Sequence, residues 1–310
     1  MKKYFLLSAF LLLGAGCQKP LASTLTQDLP TEIPKESDAI YCGVNGLTRD
    51  QVTQKERIYC IQGQDATFEK NSPQDYSFTF IDDLGQRTKN FEIVHEKLMH
   101  VIGIRQDLEQ FQHVHPEFDP ETGIFTLKNF TFATDGLYRL YFDFTPKAVT
   151  GEAKKFVVFE ERKVGETKIE EVPPLLITPS PQNVDKFVVS LKNLEKKEVF
   201  VSGKETKLTF HVDGKDNAPI EHVDNYLGAK GHLVILKEGT LDYLHVHPEE
   251  KKLSAMYNDI PFFVTFPEPG KYKMFLEFKH GEKVYHVAYV VEVKKGAGDP
   301  LNNHAKQQMH

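Results

Sequence analysis

The chain has 310 residues, 44 acidic against 38 basic side chains, a formal charge of -6 and 40% apolar residues. That length supports two domains of ordinary size, each able to bury its own core. The mild, interspersed negative charge supplies no basic patch, so no nucleic acid is expected as a partner.

The first residues, "MKKYFLLSAFLLLGAGC", have two lysines, an apolar run from Tyr4 to Leu13 and small residues before Cys17. This is the form of a secretory signal, and the run is short for a bilayer span. Its end resembles the lipobox of bacterial lipoproteins, with Ala15, Gly16 and Cys17 matching and Gly14 standing where leucine is usual. The resemblance implies a signal peptide over 1–16 and an acylated Cys17 that holds the protein on a lipid bilayer. Gln18 is not the aspartate associated with inner-membrane retention, which implies the outer membrane. An ordinary cleavage site on a soluble exported protein is the plainer alternative.

Residues 17–38 are rich in Pro, Thr, Ser and acidic side chains without apolar periodicity, and read as a flexible tether. Segment 39–54 follows, tied by its cysteine to the first folded repeat. With Cys17 assigned to lipid, Cys42 and Cys60 remain, and in an oxidising compartment such a pair most simply forms a disulfide. A pair of thiolate metal ligands is the alternative.

Strand signals dominate from there on. Runs such as "YSFTFI", "HVIGIR", "LYRLYFDF", "FVVSL", "HLVILK", "YKMFLEF" and "YHVAYVVEV" are β-branched and aromatic and alternate with Gly, Pro, Asp and Asn clusters. Short strands at such intervals predict an all-β fold. The chain also repeats itself at an offset of 132 residues: Phe68 falls on Phe200, Phe78 on Phe210, His100 on His232, and "FQHVHPE" on "YLHVHPE". After a two-residue length change, "DGLYRLYFDF" at 135–144 matches "PGKYKMFLEF" at 269–278. The reading is two tandem immunoglobulin-like β-sandwich repeats, over 55–165 and 185–295. A Pro-rich linker over 166–184 acts as a semi-rigid spacer, and 296–310 is a disordered His/Met tail.

Each repeat carries three histidines at one spacing: His100, His113 and His115, then His232, His245 and His247. A two-residue turn at Gln106–Asp107 or Glu238–Gly239 would pair His100 with His113 and His232 with His245, with the third histidine on the same face. Three imidazoles at the open end of a hairpin suit copper or zinc, and Glu117 and Glu249 are available as fourth ligands. The bland alternative is that they share a core face with Ile102 and Val234 and merely cap the sandwich. His95 and Glu96 are set aside, because Leu227 and Gly228 occupy those places in the second repeat. His211, His222, His280 and His286 read as surface residues, and the tail with His304, Met309 and His310 as a weak candidate for Cu(I) capture.

The combined pattern "FEIVHEKLMHVI…FQHVHPE…DGLYRLYFDFTP" and "GHLVIL…LHVHPE…PGKYKMFLEF" resembles a group of bacterial secreted proteins and lipoproteins with tandem HxHP-containing repeats, often labelled hypothetical or heavy-metal-associated. The resemblance marks the six histidines as the defining positions and implies no activity. Together these features describe an exported, membrane-anchored metal-binding lipoprotein for sequestration, delivery or resistance. The alternative is a structural or interaction module for an envelope protein partner. Catalysis is not expected, since no general base, phosphate loop or nucleophile elbow accompanies the histidines. Independent triads would bind one ion each, so elemental analysis of the fragment from Gln18 onward should lose one of two bound ions when either triad is removed.

Overall fold

The computed structural model describes residues 41–43, 59–148, 153–166, 172–246 and 258–296. The expected signal peptide and tether, Cys17, His247, Glu249 and residues 297–310 lie outside these residues, as does the side chain of His245.

The first repeat holds nine strands: β1 (Tyr41–Gly43), β2 (Tyr59–Gly63), β3 (Gln74–Asp82), β4 (Met99–Arg105), β5 (Gln112–Val114), β6 (Glu117–Asp119), β7 (Ile124–Phe130), β8 (Gly136–Phe144) and β9 (Phe156–Val164). They form two sheets, ordered β1-β2-β3-β7-β6 and β5-β4-β8-β9. The second repeat holds β10 (Gln182–Val184), β11 (Phe187–Leu191), β12 (Phe200–Val201), β13 (Glu205–Gly214), β14 (His232–Lys237), β15 (Tyr243–Val246), β16 (Asp259–Thr265), β17 (Gly270–His280) and β18 (Lys283–Lys294). Its sheets run β10-β11-β13-β16 and β12-β18-β17-β14-β15. One short helix, α1 (Lys192–Glu195), follows β11.

Each repeat is thus a two-layer sandwich with its own core, antiparallel throughout its named strand pairs except where β12 runs parallel to β18. Tyr76, Phe78 and Phe80 of β3 face Phe142 and Phe144 of β8 in the first. Leu208, Phe210 and Val212 of β13 face Tyr272, Met274 and Leu276 of β17 in the second. At the same place in both, a tyrosine near the start of a strand bonds back to a carbonyl four residues upstream: Tyr138 to Thr134 at 3.0 Å and Tyr272 to Glu268 at 2.8 Å. This is the tyrosine corner of immunoglobulin-like sandwiches. Those strands open on Gly136 and Gly270, with φ of 148° and 138°, a region that L side chains rarely adopt.

The outer and inner sheets differ in burial. β13 alternates buried and half-buried positions along most of its length, as a strand with one face toward the core should. β4 and β14 are buried at every position but the last. The reason is a third core between the repeats, built from Ile102, Ile104, Leu108 and Tyr141 on one side and Val234, Leu236, Leu241, Phe275 and Val290 on the other. The two inner sheets pack face to face, and Ile102 and Val234 belong to this junction and not to the sandwich interiors. The packing is isologous. Phe111 stacks on Phe275 at 4.4 Å, and their equivalents Tyr243 and Tyr141 stack at 4.8 Å. Linker residue Leu175 joins the same cluster, and Lys271 Nζ holds its carbonyl at 2.6 Å. The described part of the linker is therefore a packed strap, where a spacer was expected.

A shared core of this kind should make the two repeats unfold as one cooperative unit. Phe275→Ala removes a ring from the junction and should cost about 3–5 kcal/mol. Calorimetry should show the single unfolding transition of the parent splitting into two.

Candidate metal centre

Both repeats lead into the first histidine strand in one way. A two-residue turn precedes the first histidine strand, centred on His95 and Glu96 (φ 50° and 62°) or Leu227 and Gly228 (φ 52° and 77°), with paired hydrogen bonds between Val94 and Lys97 or Tyr226 and Ala229. Positive φ at both central residues is the twist-matched hairpin turn. Each turn offers a carbonyl to the histidine six residues after it: His100 Nε2 lies 3.1 Å from Val94 O, and His232 Nε2 lies 3.0 Å from Tyr226 O.

The hairpin register differs from the expected one by two residues. His113 lies opposite Ile102 and His245 opposite Val234. Continued by one step, this register sets His100 facing His115. The loops are longer than two residues, closed by Arg105 N to Glu109 O at 3.0 Å and by Lys237 N to Asp242 O at 3.1 Å. The physical reason lies at the tips: Leu108 and Leu241, at positive φ, tuck into the junction between repeats. Because the slip is even, the histidines keep their face.

His100, His113 and His115 converge. His100 Nδ1 is 3.0 Å from His113 Nε2 and 3.1 Å from His115 Nε2, and the ligand atoms of all three lie within 4.8 Å of one another. This group could hold a metal ion. Four-coordinate nitrogens at about 2.0–2.1 Å from an ion stand roughly 3.3 Å apart, which these spacings approach. The second nitrogens are also engaged: Val94 O accepts from His100 Nε2–H, and the Glu277 carboxylate accepts from His113 Nδ1–H. These bonds place N–H groups on His100 Nε2 and His113 Nδ1, and leave His100 Nδ1 as an acceptor facing His113 Nε2 and His115 Nε2. A proton or a metal ion can bridge His100 Nδ1 and His113 Nε2 at 3.0 Å.

Three residues near the triad escaped the sequence reading. Glu277, on β17 of the second repeat, is 1% exposed and reaches across the junction. Its counterpart Asp143 is also buried and accepts from Lys155 at 2.8 Å and Tyr243 at 3.2 Å. An acidic residue inside the apolar runs "YFDF" and "FLEF", in both repeats, was the available signal. His95, set aside above, has its ring 5.5 Å from that of His232 and 6.2 Å from that of His100. His232 in turn lies 6.1 Å from His100 and 6.0 Å from His113, ring to ring. The described member of the second set thus adjoins the first set, where separate sites were expected.

Glu117, expected as a fourth ligand, is exposed on β6 in the opposite sheet and is not part of the group. His286 is an exposed residue, as expected, with Nδ1 3.2 Å from a Glu277 oxygen. His211 pairs with Asp259 and Asp213, and His222 with Asp224, away from the triad. Cys42 stands directly opposite Cys60 across β1 and β2.

Residues 55–160 and 182–295 both match the family described as a domain of unknown function, DUF8832. A search of curated proteins finds no match. Among solved structures, similar chains include domains 1–6 of the surface layer protein SbsC, at 9% identity and TM-score 0.21 over 84% of this chain and 28% of that one. The titin domains z1z2 in complex with telethonin share 12% identity at TM-score 0.18, over 79% and 100%. A two-domain fibronectin type III segment of chicken tenascin shares 9% at 0.19, over 75% and 97%. Likeness this distant carries no functional argument, and this chain spans 28% of the SbsC fragment it matches. No helix among the described residues is long and apolar enough to cross a membrane.

Burial, and next the neighbouring His113, pull the pKa of His100 down to about 3 and of His115 to about 2; burial and His113 likewise hold His232 at about 4. Each is neutral when folded and titrates near 6.5 when unfolded, so the unfolded chain binds more protons below that pH. The metal-free protein should keep full stability above about pH 6.5 and lose it progressively toward pH 4 and below. Urea midpoints against pH should show this slope, and His115→Gln should flatten it. The two matches to the domain of unknown function cover most of the chain, which belongs to the DUF8832 family as a tandem pair of its domains.

Proposed function

We propose that this protein is an exported lipoprotein that binds a transition metal, copper or zinc, through His100, His113 and His115, for sequestration, delivery or resistance. The observation that supports it most is the convergence of the three ring nitrogens, with His100 Nδ1 3.0 Å from His113 Nε2 and 3.1 Å from His115 Nε2 and all three within 4.8 Å of one another. The three residues would hold the ion with neutral imidazoles, and protons would compete for the same nitrogens as the pH falls. The ion would add positive charge beside the buried Glu277 carboxylate, and the protein's part is to orient the rings and keep water out. His100 is 2% exposed and the His113 side chain wholly buried, which favours storage or transfer over catalysis on a bound substrate. The pattern shared with HxHP-repeat envelope proteins and the lipobox at Cys17 supports the location, on the outer membrane. His245 and His247 belong to the proposal as the repeat of the same motif. We further propose that Cys42 and Cys60 form a disulfide, since directly opposed positions on antiparallel strands fall within disulfide reach.

A capping role has one observation in its favour, the bonds from His100 and His232 to turn carbonyls. It does not by itself call for three imidazoles with their ligand atoms within 4.8 Å of one another.

Isothermal titration with Zn(II), Cu(II) and Cu(I) should show tight binding that the double variant His113→Ala/His115→Ala loses at this triad. Undiminished stoichiometry in that variant, or a melting temperature that metal does not move, would refute the assignment. Intact-mass measurement should give Cys42 and Cys60 as a pair that gains two hydrogens on reduction.

A further inference from the structure

Glu277 sits in the continuously buried stretch 272–278 of β17, at a cost that only pairing offsets. Its partner is His113, which lies 164 residues earlier in the chain and in the other repeat. Its second oxygen lies 3.2 Å from His286 Nδ1. In the backbone ladder it stands opposite His232.

An imidazole that binds a metal through one nitrogen carries a proton on the other, and the group accepting that proton fixes the tautomer and the ring's aim. For His100 the acceptor is local, the Val94 carbonyl six residues upstream. In the first repeat the equivalent buried carboxylate, Asp143, is engaged by Lys155 and by Tyr243 of the other repeat. The acceptor at His113 Nδ1 comes from β17 of the second repeat, where that repeat packs against the β4-β5 hairpin. Phe111 on Phe275 and Lys273 on Glu109, the latter at 2.6 Å, hold that hairpin to β17 along its length.

We propose, resting on the reading that the triad binds a metal, that Glu277 is the positioning residue of the site, so that the centre is completed only by docking of the second repeat. The ligands belong to one repeat and their orientation to the other. Metal affinity and the packing of the repeats are then linked: an ion that binds the docked form alone tightens the docking by the same factor by which docking tightens the ion.

The test is Glu277→Gln in the full chain, read by Zn(II) competition titration and by the ring ¹⁵N shifts of His113 without metal. The expected result is affinity lower by about 10–100-fold at unchanged stoichiometry, with His113 moving from the Nδ1–H tautomer to a mixture. Glu277→Asp, which keeps the charge on a shorter stem, should recover part of both. Unchanged affinity with an unchanged His113 tautomer would overturn the positioning role. Should the parent chain bind no Zn(II), Cu(II) or Cu(I), the functional reading fails separately. A tautomer shift in Glu277→Gln would then still support the role of Glu277, and its absence would remove that as well.

Discussion

The apolar face between the two repeats is the constraint on which the rest of the molecule depends. Ile102, Ile104 and Tyr141 on one inner sheet and Val234, Leu236 and Phe275 on the other can leave water only by facing one another. That requirement buries β4 and β14 on both sides, draws the hairpin tips inward through Leu108 and Leu241, and lays the linker along the seam at Leu175. It also sets the histidines in a dry environment. The same imidazoles at the rim of a lone sandwich would be hydrated and would titrate in the ordinary range.

Desolvation at the seam has two effects of opposite kind on the site. It suppresses protonation of His100, His115 and His232, which preserves lone pairs for a ligand. It also makes every unpaired polar atom costly, which is why each second ring nitrogen of His100 and His113 has an acceptor and why one acceptor is a carboxylate. A cation among these nitrogens would meet a charge balance already prepared by Glu277.

Most of the fold was legible because its signals are local. Alternation in "YSFTFI" reports the face of β3, and the 132-residue offset reports the duplication through pairs such as Phe78 and Phe210, both fully buried. The three histidines of the first repeat were legible for the same reason, since a His-x-His strand beside a histidine strand converges under any even register. What was not legible depends on the relation between repeats. The continuous burial of "HVIGI" and "HLVIL" could be read as two-faced strands, yet nothing in those letters says what covers the second face. The two-residue slip of the hairpins follows from the burial of Leu108 and Leu241 against a surface that no local pattern reveals. Glu277 and His95 reach the cluster only through that docking.

The stacked pairs Phe111 with Phe275 and Tyr243 with Tyr141 have the self-complementary geometry of a two-fold homodimer, written here within one polypeptide. Covalent joining removes dilution from the association, because each half meets the other at an effective concentration set by the strap through Leu175 and not by the amount of protein present. A scarce protein can therefore keep a composite centre that a free dimer would lose on dissociation. Joining also releases the halves from identity. Where a homodimer would repeat one residue at both symmetric places, this chain carries glutamate at 277 and aspartate at 143, and histidine at 95 against leucine at 227, so its two halves are free to take different tasks around one axis.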